Sequence, residues 1–373
     1  PRTHLAVGLE QLPDEQPMTL NLKQHLKDLI SAPGVSAYED PVREIIAKAW
    51  KPYADQFLTT NLGSLCAFQF GTGDAPRPLV MIDAHMDAIG MMVTGIEDGF
   101  LRFTQIGGVD PRILPGQMVT VHGTLAGRHD LPGMVVMPAP FLLPPEAGSG
   151  PLDMKYLLVD LGLRPEEVAR LVRVGDVISF AQQPMELDGE TLAGHTLDNR
   201  ASVAALTVCL ETLSRQQHLW DVVAVAAAQE EVGGIGAATD PVKLKPTFAI
   251  VIDVTFASGP GSNGWRCSEL GKGLPLTWGI NDHPALYRAL VNTAEEYDIP
   301  ISREPAPSGS GTDAFDLQVV EGGIPVVEIN IPLRYMHTPV EIVALKDIRR
   351  AGRLMAAFIS DLPLDFMTTI QWE

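Results

Sequence analysis

Residues 221–229, 248–255 and 325–331 are apolar runs that lack the in-and-out alternation of a half-exposed strand. Runs of this kind are strands buried on both faces, so the fold must lay helices above and below one sheet. The chain supplies those helices. Residues 201–216 place Val203, Leu206, Leu210 and Leu213 on one face, and residues 283–297 and 345–362 are likewise amphipathic. Two earlier helices are expected at residues 20–30 and 41–50, the second with Val42, Ile45, Ile46 and Trp50 on one side. Residues 64–70 and 79–87 read as strands separated by the turn-forming Gly71, Gly73, Asp74 and Pro76.

Between residues 90 and 194 the pattern changes to short strands, at 99–106, 117–122, 134–137 and 176–180. One helix interrupts them at residues 165–172, where Pro165 suits the first helical position and Glu166 and Glu167 suit the dipole. Residues 137–151 are Pro-rich and read as a loop. The expected architecture is an α/β domain of residues 18–89 and 191–373, split by a β-rich insertion at 90–190, with residues 1–17 as an N-terminal extension.

Composition removes several function classes. With 27 Lys and Arg against 46 Asp and Glu, the net charge is −19, which disfavours a nucleic-acid partner. No apolar run approaches the ~20 residues that span a bilayer, so no membrane partner is expected. Three scattered cysteines, Cys66, Cys209 and Cys267, cannot form a disulfide framework and point to a reducing, cytoplasmic setting.

The informative polar residues stand where the buried strands end. Residues 79–84 run into His85, Met86 and Asp87, residues 222–228 into Glu230 and Glu231, and residues 250–252 into Asp253. Residues 325–331 are followed by Arg334 and His337, while Asp198 directly precedes the helix at 201. In open α/β sheets ligands bind outside the carboxyl ends of the strands, so these side chains are placed to converge. Two histidines and several carboxylates form a nitrogen and oxygen ligand set suited to zinc, cobalt or manganese. If the strand continues past His85, Asp87 shares its face and can hold the second ring nitrogen. Adjacent acids such as Glu230 and Glu231 repel unless a cation lies between them. Neighbouring side chains diverge, so one of the two can bind metal while the other stays free as a base.

The segments AHMDAIGMMV, IGGVD, HTLDNR, QEEVGGIGA, IDVT, GSGTDA and RYMHTPVE together resemble, in order, those of the tetrahedral dinuclear-zinc aminopeptidases, over residues 21–360. That family includes glutamyl and deblocking aminopeptidases and members labelled endoglucanase. The resemblance implies a zinc-peptidase-like α/β/α catalytic domain, an inserted PDZ-like β-barrel used for dimerisation, and a tetrahedral dodecamer built from dimers. It also implies two divalent metal ions, zinc or alternatively cobalt or manganese, bridged by Asp198. His85 and Asp253 would complete one site, and Glu231 and His337 the other. Glu230 would be the general acid/base and Asp87 the partner of His85. The implied reaction is removal of N-terminal residues from short peptides by a metal-activated water. A metal-dependent deacylase, an endoglucanase-labelled hydrolase and a non-catalytic metal-binding homologue are the alternatives.

The chain departs from the family pattern at Ala88, where an acid commonly follows HMD, at Asn199, where a second Asp is common, and at Thr338, where Ser is usual. None of these removes an implied ligand. His195, Thr312, Asp313 and Arg334 are further candidates near the site, His195 weighed against a loop histidine, Thr312 and Asp313 against a turn, and Arg334 as one candidate partner of the carboxylates.

Overall fold

The computed structural model describes residues 20–144, 152–188 and 190–370. The extension at residues 1–17 and part of the 137–151 loop lie outside the described residues. The apolar runs are the centre of one mixed sheet. Asp221–Ala227, Leu79–His85, Phe248–Phe256 and Val326–Arg334 lie side by side and parallel, in that order. Leu65–Gln69 and Gln56–Thr59 extend the sheet antiparallel on one side, and Glu341–Ala344, Thr191–Gly194 and Met185–Glu186 on the other.

Alternate side chains of the central strands enter two separate cores. Val80, Ile82, Ala84, Val222, Ala224 and Ile250 pack with the helices Leu22–Ser31, Leu197–Leu213 and Leu345–Ser360. Met81, Val223, Val225, Ala249 and Val251 point the other way, against Ala237, Ala314 and Leu317 of the helices Ile235–Leu244 and Asp313–Gln318. This two-sided covering is what the unalternating runs demanded. The helix Leu197–Leu213 is buried on nearly every side because a second helix covers it. Gly352 of Leu345–Ser360 makes that approach possible, since a Cβ there would stand 2.6 Å from the Ala205 carbonyl.

The insertion is a closed barrel of six strands. Its order is Gly90–Glu97, Phe100–Ile106, Leu158–Asp160, His129–Val136, Met118–Gly123 and Val177–Phe180, the last pairing back with the first. Met91, Leu101, Val121, Val135 and Ile178 fill it, and Val168 of the helix Pro165–Leu171 packs against that core. Three of its strands were not among the expected ones in full: Gly90–Glu97, Leu158–Asp160 and the first half of His129–Val136. The sheet of the larger domain also gains Leu274–Gly279 and Ile301–Ala306, a parallel pair whose Pro275 and Pro305 hide it from a reading of strand propensity. Among the described residues no helix is long and apolar enough to cross a membrane.

Candidate metal centre

Parallel alignment sets the site. Ala227 is in register with His85, and Asp253 lies one strand further over, so the chain turns that follow these strands open on the same edge of the sheet. The expected residues meet there. His85 Nε2 lies 3.3 Å from Asp198 Oδ1, 3.7 Å from Glu230 Oε2 and 3.9 Å from Asp253 Oδ1. His337 Nε2 lies 3.4 Å from Asp198 Oδ2 and 3.5 Å from Glu231 Oε2. The two oxygens of Asp198 thus face different histidines. Among the described residues, two groups have the spacing to hold a metal ion: His85, Asp198 and Asp253, and Asp198, Glu231 and His337. Glu230 belongs to neither group.

Asp87 organises this cluster, although not by strand alternation, because the strand stops at His85. Its Oδ1 lies 3.4 Å from His85 Nδ1 and accepts from the Glu230 N–H at 3.0 Å. Its Oδ2 accepts from the Glu231 N–H at 3.2 Å and from the Ser36 hydroxyl at 2.6 Å. Asp87 therefore fixes the ring of His85, whose Nδ1 also lies 3.3 Å from its backbone carbonyl, and its carboxylate fixes the backbone of both neighbouring glutamates. That backbone needs fixing: Gln229, just before the pair, has φ of 62°, a left-handed value that costs a residue with a Cβ about 1–2 kcal/mol.

Glu341 plays the corresponding part on the other side. Its carboxylate accepts from the Asp198 N–H at 3.1 Å and from the His337 N–H at 2.9 Å. The sequence reading gave Glu341 no role, although it is the last residue of RYMHTPVE. Arg200, the last residue of HTLDNR, was also passed over. It is wholly buried and donates to the carbonyls of Leu29, Ala32 and Met86, tying the first helix to the strand end. The insertion reaches in as well: the Gly108 carbonyl lies 3.2 Å from His337 Nδ1, and a Cβ at Gly108 would stand 2.7 Å from that nitrogen.

Other candidates fall elsewhere. Arg334 does not meet the carboxylates; its Nε donates to the Ser258 carbonyl at 2.8 Å. His195 is buried, and burial together with Arg200 pushes its pKa down to about 3, which keeps it neutral. Thr312 lines the cleft and donates to Glu328 at 3.3 Å, whereas Asp313 is buried beside Asp83, behind His85. The cleft itself has a volume of ≈ 350 Å³ and is walled by Val254, Gly311, Thr312, Met336 and Gly108 around the acids.

The electrostatics are those of a site made for cations. Burial raises Glu231 to about 8, with the neighbouring Asp198 adding to the shift, and burial likewise raises Glu230 and Asp253. Burial would raise Asp198 too, but the His337 and His85 rings outweigh it and hold that carboxyl below its usual range. The hydrogen bond to Asp198 lifts His337 to about 9. Four crowded carboxyls cannot all ionise at neutral pH without positive charge among them. The buried Glu231 Oε1 has no hydrogen-bond partner, and the donors are all nitrogen and oxygen, so the residues fit divalent ions such as zinc, cobalt or manganese.

The chain resembles known proteins along most of its length. The family described as M42 glutamyl aminopeptidase matches residues 63–354. The lysyl aminopeptidase of Pyrococcus furiosus is 34% identical over 346 residues, covering 91% of this chain and 98% of that protein. The aminopeptidase APDkam598 of Desulfurococcus kamchatkensis superposes with a TM-score of 0.86 at 32% identity, covering 94% of this chain and 97% of that one. The TET1 peptidase of Pyrococcus horikoshii, which can assemble into a tetrahedron or a large octahedral shell, superposes with a TM-score of 0.78 at 28% identity, covering 91% of this chain and 100% of that one. Matched by that family over residues 63–354 and 34% identical to a curated aminopeptidase over 91% of its length, this chain belongs to the M42 glutamyl aminopeptidase family.

Proposed function

We propose that the protein is a dinuclear metal-dependent aminopeptidase that removes N-terminal residues from short peptides. The observation that carries this reading is Glu230: a partly buried carboxyl whose Oε2 lies 3.7 Å from His85 Nε2, yet which belongs to neither of the two groups sharing Asp198. His85, Asp198 and Asp253 would hold one ion, and Asp198, Glu231 and His337 the other. Bound there, the ions would supply Lewis acidity toward the scissile carbonyl and lower the pKa of water.

The remaining steps fall to the chain. Burial has already raised Glu230 above its ordinary pKa, which brings a carboxylate toward the range of an efficient general base at neutral pH. Glu230 would take the proton of the attacking water and pass it to the leaving amine. Asp87 would hold His85 in one orientation and keep Glu230 aimed through its backbone N–H. A purely structural site would have no use for this unliganded acid. The cleft of ≈ 350 Å³ admits one side chain and a short peptide, which suits trimming and not internal cleavage of folded substrates.

The barrel is read as the dimerisation module, on the way to a closed tetrahedral particle. Met118 and Met134 stand opposite each other on neighbouring strands and are both exposed, an apolar pair that a second copy would cover. The three free cysteines support a reducing, cytoplasmic compartment.

Glu230→Gln tests the assignment. The variant is expected to keep both metals and lose turnover on free-amino peptides by more than about a hundredfold, as removal of a general base does. Retained turnover would remove Glu230 from the mechanism. Hydrolysis of acylated substrates alone by the unmodified enzyme would replace the reading with a deacylase. Two bound metals with no hydrolysis of any peptide would make the chain a non-catalytic homologue.

A further inference from the structure

A second cavity of ≈ 350 Å³, equal in volume to the metal cleft, lies between the barrel and the loop that joins the first two helices. Its walls are of opposite character. Val35, Ala37 and Tyr38 of the helix-joining loop form one side; Thr124, Arg128 and Arg173 of the barrel form the other.

The acids that border it are already engaged. Asp176 accepts from Thr124 N at 3.2 Å, Thr124 Oγ1 at 2.6 Å and Arg173 N at 2.9 Å, and Asp40 pairs with Arg43. Both ring nitrogens of His122 are taken, by Asp130 at 2.6 Å and Ser179 at 2.8 Å. What can still donate to a ligand is guanidinium: Arg173 Nε is ion-paired with Asp176 at 3.7 Å without a hydrogen bond, and Arg128 is exposed. Arg128 and Arg173 balance Asp40 and Asp176 at this cleft, so in a chain of net charge −19 it lacks the acidic excess that would repel an anion.

We infer that this cavity binds a small organic carboxylate with an apolar arm, of the class formed by amino acids, acyl amino acids and peptide C-termini. The planar guanidinium forks match a carboxylate in two-point fashion, and Val35, Ala37 and the Tyr38 ring receive the apolar part.

The site is wired to the metal centre. Between Val35 and Ala37 stands Ser36, whose hydroxyl holds Asp87 at 2.6 Å and whose N–H donates to the Ala88 carbonyl at 3.3 Å. A ligand bridging barrel and loop presses the loop onto Asp87, and through it onto His85, Glu230 and Glu231. Occupancy therefore raises turnover. This second consequence rests on the aminopeptidase reading; the binding itself does not.

Calorimetry of N-acetylleucine, which lacks a free amine, on metal-loaded Glu230→Gln protein tests the binding. One molecule per chain is expected, weakened about tenfold or more in Arg128→Ala/Arg173→Ala, as loss of charge-assisted bonds dictates. No binding, arginine-independent binding, or preference for inorganic phosphate over the carboxylate overturns the inference. In the otherwise unmodified enzyme, N-acetylleucine is expected to raise kcat at least about twofold, and the double arginine variant to keep the basal rate while losing the rise. Inhibition that survives in that variant would place the ligand at the metal centre and overturn the coupling. If no peptide is cleaved at all, the aminopeptidase reading fails while the calorimetric result still decides the site.

Discussion

Glu341 separates two roles that one carboxylate can play near a metal. It touches no candidate ion; it accepts the backbone N–H groups of Asp198 and His337, one with each oxygen. Glutamine has nearly the same shape but only one accepting oxygen, so Glu341→Gln forces an amide N–H against a backbone N–H. Leaving a buried donor unpaired costs about 1–3 kcal/mol. The variant is expected to melt lower and to bind metal more weakly, a pairing that thermal denaturation with and without chelator reads directly. Gly108→Ala acts on the same histidine from the barrel side. Its added Cβ would stand 2.7 Å from His337 Nδ1, so the ring must turn away. Loss of an orienting contact to a ligand histidine costs roughly 10–100-fold in metal affinity or activity, and we expect kcat/KM to fall by that range with the first metal group unaffected. Unchanged kinetics would show that the barrel does not help to build the site.

At the scale of elements, the strand ends were legible because burial on both faces leaves so few polar residues that those at the termini stand out. His85, Asp253, Glu230, Glu231 and His337 were found on this ground, and Asp198 from its place before a helix. Residues that work through hydrogen bonds to backbone were not legible, because a carboxylate that caps two N–H groups carries no periodicity. Arg200 and Glu341 belong to this group, and Ser36, whose hydroxyl holds the Asp87 carboxylate, is equally silent. The small strand Leu158–Asp160 and the parallel pair Leu274–Gly279 and Ile301–Ala306 escaped for another reason: short length, Pro and exposed positions give them the look of loops. The close contact of Leu197–Leu213 with Leu345–Ser360 rests on Gly352, and a glycine within an amphipathic run reads only as a weak helix former. Gly352→Ala improves intrinsic helix propensity by about 1 kcal/mol. Against that, the new Cβ would meet the Ala205 carbonyl and Val208 Cβ, both at 2.6 Å and both close to the backbone of the facing helix. Overpacking of this kind costs about 1–3 kcal/mol, so the helices must separate and the net change is destabilising. A lower urea midpoint with unchanged m-value is the expected result.

For the whole molecule, the balance of protons decides how stability and metal loading respond to pH. Above about pH 7.5, past the unfolded histidine range, His25 and His195 have finished titrating in both states, since burial, offset in part by Asp28, takes His25 down to about 4, and burial with Arg200 takes His195 to about 3. The groups still titrating are raised in the folded chain. His337 moves from 6.5 to about 9 through its bond to Asp198; Glu231 moves from 4.5 to about 8, Asp282 from 3.8 to about 8 and Glu39 from 4.5 to about 7, each chiefly by burial. In each case the folded state holds a proton that the unfolded state has released or is releasing. Stability falls with rising pH wherever the native state binds more protons, so the metal-free protein loses stability between about pH 7.5 and 9. The His337 contribution is whole below 6.5 and gone above about 9. Metal held as proposed would invert the sign at the centre, because it would require Glu231 ionised and His337 neutral and so displace the same protons. The melting temperature of chelated protein is therefore expected to drop across this window, and the stabilisation gained on adding zinc to grow. Proton release on zinc binding, followed in two buffers of different ionisation enthalpy, measures the same linkage. A chelated protein whose melting temperature is flat or rising over that range would show that the buried acids are not protonated, and would remove the electrostatic case for a cation site.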